Sequence, residues 1–273
     1  MDKKKFFIAL GIAALLVPAV FLAIGLLRNF SASKGGLITL GEASKLLAQA
    51  KDLQAKGELF AAKTAYQKML NEYPASPGAA KWQKEIESLN IGLLFSPALT
   101  PKSTLYEIKP GDTLTKIAKK FNTTVELIQK SNGISDDKIM PGRKIKIWTQ
   151  PFSIVVDKSQ NILILKSGEE VIKTYSVSTG ANNSTPTGVF KVDSKLYHPT
   201  WFKPGEVVPP ESSENILGSR WIGINLPGYG IHGTTEPESL GKQVTQGCVR
   251  MSNADVEELY TIVPKGTEVL ILN

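Results

Sequence analysis

The spacing of apolar residues changes along the chain, and that change limits the architectures open to it. Between Leu40 and Leu89 apolar residues recur at helical spacing. Leu46, Leu47, Ala50 and Leu53 share one face, and Leu59, Ala62, Tyr66 and Leu70 share another. Gly57 separates these runs, and Pro74 and Pro77 precede a third run, Ala79 to Leu89. From Phe152 to Asn273 the pattern becomes short β-branched or apolar runs: Ile154-Val155-Val156, Ile162 to Leu165, Val189 to Val192, Trp221 to Ile224 and Val269 to Leu272. Turn residues divide them, among them Ser159-Gln160-Asn161 and Thr185-Pro186-Thr187-Gly188. One helix is expected late, from Asn253 to Ile262, with Ser252 or Asn253 as cap and Val256, Leu259, Tyr260 and Val263 inward. The chain therefore reads as multidomain, helical first and an all-β sandwich with one packed helix last.

The N-terminus predicts where these domains sit. Lys3, Lys4 and Lys5 precede 22 uncharged residues, Phe6 to Leu27. At about 1.5 Å per residue such a helix crosses a hydrocarbon core of about 30 Å. The run exceeds the apolar stretch of a cleavable signal, although Ser31-Ala32-Ser33 offers a small-residue cleavage site as the alternative. The lysine excess before the span favours a cytoplasmic N-terminus. Residues 1–30 are expected to be a transmembrane helix, contacting the membrane through residues 6–27. The chain would be single-pass in the bacterial cytoplasmic membrane, with its bulk extracytoplasmic. The formal charge of +7 suits a polyanion. No basic stripe interleaved with aromatics appears, so a nucleic-acid partner is not expected.

Ser31 to Gly36 reads as a short tether. In residues 38–92 the order Ala50, Gly57, Ala62, Tyr66, Pro74 resembles one tetratricopeptide repeat with a following helix. A lone repeat is read first as a spacer, and otherwise as a site for a protein partner. Phe95 to Ser103, with Pro97 and Pro101, reads as a linker. A β-α-α-β unit follows. Leu105 to Ile108 is its first strand. Leu114, Ile117, Ala118 and Phe121 form a helix face with Asp112 as cap. Thr123-Thr124-Val125-Glu126 is a capping-box pattern, Asn132-Gly133 is a helix end, and Lys144 to Trp148 is a closing strand. The string YEIKPGDTLTKIAKKFNTTVELIQKSNG, with DKIMPGRKIKI after it, resembles a LysM domain, spanning 104–149. That resemblance implies a shallow groove for N-acetylglucosamine-containing glycan between Gly111-Asp112-Thr113 and the loop Ile134 to Pro141, Ile139 and Met140 included.

The chemistry-bearing residues cluster late. The only Cys, Cys248, lies 16 positions after His232, one of two histidines. A lone Cys is by default a small buried hydrophobe. Exported, however, it is a liability unless it has a task. An imidazole or cation beside it can lower a thiol from about 8.5 to about 3.5–7.5, giving a nucleophile, and Arg250 supplies a fixed charge. Gly247 allows a tight backbone whose amides near 247 and 248 can face an oxyanion. One Cys and one nearby His are too few for a metal site, and no cofactor is expected.

The wider string, STG…TPTGVF…PTWFKPGE…SRWIGIN…YGIHGT…TQGCVRMSNADVEELY, resembles the L,D-transpeptidase (YkuD-type) family over residues 151–273. The resemblance implies a β-sandwich and a Cys–His pair, Cys248 as nucleophile and His232 as base, the base's second nitrogen held by a backbone carbonyl. Gly247 and Arg250 match residues around the oxyanion and the substrate carboxylate. Tyr229, Gly230 and Gly233 match the strand presenting the base, and Thr245, Gln246 and Trp201 are candidate substrate contacts. Many members carry a second His where this chain has Gln246, which leaves His198 as the rival base. The implied activity is peptidoglycan L,D-transpeptidation, in which a Cys248 thioester with the stem peptide releases D-alanine and passes to an amine. Hydrolysis of that thioester (an L,D-carboxypeptidase) and a non-catalytic wall-binding scaffold are the alternatives. The expected partner is peptidoglycan, stem peptide and glycan strand alike.

Overall fold

The computed structural model describes residues 36–273, Pro204 excepted. The expected anchor at 6–27 and the tether residues 31–35 lie outside the described residues. Among the described residues no helix is long and apolar enough to cross a membrane. The chain divides into two compact units between Leu89 and Asn90.

The first unit is helical: α1 (Gly36–Ala55), α2 (Leu59–Glu72) and the start of α3 (Ala79–Leu94). Its core joins Ala50 and Ala62 with Tyr66, Met69, Trp82, Ile86 and Leu89. Of the positions that the helical spacing marks out, Ala50, Ala62 and Tyr66 are buried there, and Leu46, Leu47, Leu53, Leu59 and Leu70 pack against them half-buried. Gly57, at φ +75°, makes the turn that separates α1 from α2.

In the second unit, β1 (Ser103–Glu107) and β2 (Lys144–Trp148) pair antiparallel around α4 (Leu114–Phe121) and α5 (Val125–Asn132). Ile108, Leu114, Ile117, Ala118, Ile128, Ile145 and Ile147 are buried together there. Two caps differ from the sequence expectation. Thr113, not Asp112, caps α4 by accepting from the Lys116 amide at 3.1 Å. Thr124 caps α5 through the Leu127 amide at 2.9 Å, which places Glu126 one position short of a capping box. In each case the residue immediately before the helix holds the extended backbone that a cap requires.

The remainder is a β-sandwich with one helix. Its strands are β3 (Phe152–Asp157), β4 (Ile162–Ser167), β5 (Glu170–Ser176), the two-residue β6 (Thr179–Gly180), β7 (Gly188–Tyr197), β8 (Trp201–Lys203), β9 (Glu206–Val208), β10 (Arg220–Ile224), β11 (Gly230–His232), β12 (Gln243–Thr245), β13 (Val249–Arg250) and β14 (Glu268–Leu272). Eight of them run in the order β13-β11-β10-β7-β14-β3-β4-β5. β7 turns the corner. Gly188 to Lys191 pair with β14, while Val192 to Tyr197 pair with β10. Helix α6 (Asn253–Ile262) is capped by Ser252 and buries Val256, Leu259 and Ile262.

The segment 95–103 is not a free linker. Phe95 packs on the sandwich core, with the Lys130 ammonium 4.2 Å from its ring centre. Lys102 Nζ donates to Ser167 O at 3.0 Å and pairs with Glu170 at 2.6 Å. The β-α-α-β module is seated just as firmly. Leu127 and Trp148 belong to the sandwich core, and Thr124 Oγ1 donates to the Thr261 carbonyl.

Lys146, 1% exposed, donates from Nζ to the carbonyls of Leu93 and Ser96. Burial holds its ammonium down to about 8, from an ordinary 10.5. Between those values the unfolded chain binds the proton and the folded chain does not, so stability rises with pH across that window and gains nothing below it. Lys195, also lowered to about 8 mainly by burial, acts in the same direction. The urea midpoint of the wild type should therefore rise between about pH 7.5 and pH 9.5, and rise less in Lys146→Met. An equal rise in both would contradict this account.

Candidate active site

Strand alternation assembles the site. β11 lies between β10 and β13, with Trp221 opposite His232 and His232 opposite Arg250. Ile222, Ile231 and Val249 turn into the core and are buried. The other face therefore carries Trp221, His232 and Arg250 at one level, and Gly230 with Cys248 at the next. His232 and Cys248 therefore lie on one face of the β11–β13 edge, two positions apart in register.

His232 is 3% exposed. Its Nδ1 lies 2.7 Å from the Gly233 carbonyl. A carbonyl only accepts, so in the neutral ring Nδ1 carries the hydrogen and Nε2 the lone pair. The Trp221 indole stacks on the imidazole with centroids 5.9 Å apart at 16°. Burial brings His232 down to about 4; the Gly233 carbonyl opposes this, the Arg250 charge adds to it, and the Leu217 backbone opposes it again. At neutral pH the ring is uncharged and able to take a proton.

Cys248 is half-buried, and its Sγ donates to the Gly228 carbonyl at 3.5 Å. Burial pushes the thiol above its ordinary 9.0, while the Gly230 backbone and the Arg250 charge pull it back. This corrects the expectation of a resting thiolate. Burial disfavours the charged form of each partner more than Arg250 compensates, and Arg250 is itself paired: Nη1 donates to Glu236 at 2.6 Å and to Ser239 Oγ at 3.0 Å. At rest both the thiol and the imidazole are neutral. Alkylation of Cys248 by iodoacetamide should still be accelerating at about pH 9, whereas a plateau below pH 7 would reveal a preformed thiolate.

The turn before the thiol is locked by Thr245. Its Oγ1 donates to the Cys248 carbonyl at 2.6 Å and accepts from the Gly247 amide at 3.2 Å. The Gly247 amide is thus engaged inward, and among the described residues the Cys248 amide has no acceptor. Gly247 sits at φ +135°, and a Cβ there would lie 2.7 Å from Tyr229 Cε1. Gln246 is exposed. Trp201 lies on the separate β8–β9 hairpin, with the Lys203 ammonium 5.2 Å from its ring centre. His198 is exposed, edge-on to Tyr197 at 4.3 Å.

Trp221 and Glu236 escaped the sequence reading. The register that puts Trp221 against His232, and the loop that returns Glu236 to Arg250, are tertiary facts. A period-2 count back from Gly223 through the WIGIN strand could have placed Trp221 on one face with Gly223, though not beside His232.

In the β-α-α-β module, Asp112 makes a turn. Its Oδ2 accepts from the Tyr106 hydroxyl and the Lys109 amide, both at 2.8 Å. The Lys109 amide and then the Tyr106 hydroxyl hold its carboxyl below the usual range. Gly111, at φ +83°, and Thr113 are exposed beside it. Ile139 packs on the module core, and Met140 is 70% exposed.

A half-buried thiol and a neutral imidazole on one face at the edge of a sandwich define a thiol–imidazole site. Residues 151–271 match the L,D-transpeptidase catalytic domain (YkuD), and residues 106–148 match the LysM domain. YkuD of Bacillus licheniformis is 35% identical over 175 residues, covering 61% of this chain and 98% of the relative. YkuD of Bacillus subtilis is 34% identical over 173 residues, covering 61% and 97%. YqjB of Bacillus subtilis is 41% identical over 124 residues, covering 43% and 69%. All three carry the L,D-transpeptidase name. The chain belongs to the L,D-transpeptidase family, with a LysM domain ahead of its catalytic domain.

Proposed function

We propose that the chain is a cysteine-dependent peptidoglycan L,D-transpeptidase. The observation that carries this reading is the buried His232, its Nδ1 hydrogen engaged by the Gly233 carbonyl, on the strand paired with the one that Cys248 leads into. Nε2 takes the Sγ proton as sulfur attacks the carbonyl of the third stem residue. The tetrahedral oxyanion is met by the Cys248 amide. Collapse breaks the bond to the terminal D-alanine, whose amine leaves with the proton from the imidazolium. An amine from a second stem then attacks the thioester while His232 accepts its proton, and Sγ leaves to be reprotonated as thiol. Arg250 keeps positive charge beside both partners, and Tyr229 and Gly230 border the nucleophile.

The remaining assignments follow from this reading. Gly111 to Thr113 and the loop 134–141 hold the glycan strand. Residues 6–27 anchor the chain in the cytoplasmic membrane with its bulk extracytoplasmic, which the uncharged run and the preceding lysines support. The tetratricopeptide-like residues 38–92 serve as a spacer.

The test is mass spectrometry of a disaccharide-tetrapeptide after incubation with the full chain and with Cys248→Ala. D-alanine release with 3→3 dimers, both lost in the variant, is the expected result. Release without dimers would replace transfer by hydrolysis. Glycan binding with neither product would leave a wall-binding scaffold.

A further inference from the structure

We infer that Asn253 is a positioning residue for His232: its carboxamide fixes the two backbone segments that hold the imidazole in place. The inference rests on the reading of His232 as base. Asn253 is the first residue of α6, but the cap is made by Ser252, whose Oγ accepts from the Asp255 amide at 3.1 Å. The Asn253 side chain is thereby spared for another task. Its Oδ1 accepts from the Ser219 amide at 3.0 Å and from the Thr234 amide at 3.2 Å, and its Nδ2 donates to the Thr234 carbonyl at 2.9 Å. One carboxamide therefore ties together two stretches distant in sequence, around Ser219 and around Thr234.

Both stretches bear on the base. Gly233, next to Thr234, supplies the carbonyl on Nδ1, and Leu217, two residues before Ser219, supplies the other backbone oxygen that acts on the ring. Two glycines make room for the clasp. A Cβ added to Gly218 or to Gly233 would stand 2.2 Å from Asn253 Oδ1. Without the carboxamide the Ser219 and Thr234 amides lose their acceptor, and the 233–234 peptide is free to rotate. The Gly233 carbonyl then leaves Nδ1, and with it goes the preference for a hydrogen on Nδ1 and a lone pair on Nε2.

The test uses the full chain in detergent with 15N-labelled imidazoles. The sequence holds two histidines, so exposed His198 is an internal standard. The wild type should show His232 protonated at Nδ1. In Asn253→Ala the His232 signals should move toward a mixture of tautomers while His198 stays fixed. The carbapenem acylation rate of Cys248 should fall about 10–100-fold, the scale on which outer hydrogen-bond partners act on metal-bound imidazoles. Should Asn253→Ala fail to fold, Asn253→Asp keeps the acceptor oxygen for both amides and sets a carboxylate oxygen in place of the Nδ2 donor against the Thr234 carbonyl; a smaller shift of the His232 signals in the same direction is expected. His232 signals identical to wild type in a folded variant overturn the inference. Loss of acylation in the wild type itself, with the tautomer change intact, strikes the acyltransferase reading and leaves the positioning role standing.

Discussion

Substitution of His232 by glutamine is expected to slow acylation of Cys248 by about 10²–10⁴-fold, the range typical of a lost general base. Glutamine has nearly the volume of the imidazole and can still donate to the Gly233 carbonyl, so the fold should persist. What it lacks is a lone pair basic enough to take the thiol proton. Because burial holds that thiol above 9.0, the variant has no thiolate at neutral pH to compensate. The pH dependence supplies a second check. Wild-type activity should fall on the acid side only as the ring protonates, near 4. In the variant the rate should instead climb with pH, following the thiol. Carbapenem adduct formation by intact mass measures both, with Cys248→Ala as the blank. Equal rates in wild type and His232→Gln would remove His232 from the mechanism.

Substitution of Trp148 by alanine should produce the largest loss of stability, about 3–5 kcal/mol for deletion of a buried indole. Trp148 is the last residue of β2, yet it is 8% exposed within the sandwich core. Its ring stacks on Phe152 at 6.1 Å and 13°, and its Nε1 donates to Ser167 Oγ at 3.0 Å. The β-α-α-β module and the sandwich should therefore unfold together in the variant, at lower denaturant than in wild type. Two separated transitions, or a loss under about 1 kcal/mol, would show that this residue does not join them.

The elements that were legible in the sequence are those whose apolar period is strong. The runs at Ile154, Ile162, Val189, Trp221 and Val269 each lie within an observed strand. β5 was missed because its residues Glu170 to Ser176 bury only Ile172 and Tyr175 and show no strict alternation. β11 and β13 are too short to register as runs, although they carry His232 and present Cys248. The residue types at the site were readable because nucleophile and base need particular side chains at any position. Their ionisation was not readable. The sequence displays the Arg250 charge, but neither the burial that outweighs it nor the carboxylate of Glu236 that shares it. The seating of the module on the sandwich was likewise hidden, since Thr124 and Leu127 look like an ordinary cap and helix face until α6 is placed beside them.

That seating bears on how the protein can be dissected. The family boundary falls between Trp148 and Pro151, the place that any recombinant truncation would choose as its start. A fragment begun there would bare the apolar socket vacated by Leu94, Leu127 and Trp148, and would strip Ser167 Oγ and the Thr261 carbonyl of their donors. The catalytic half is thus not an excisable cassette, and grafting a foreign wall-binding module onto it would require rebuilding the seam as well as the joint.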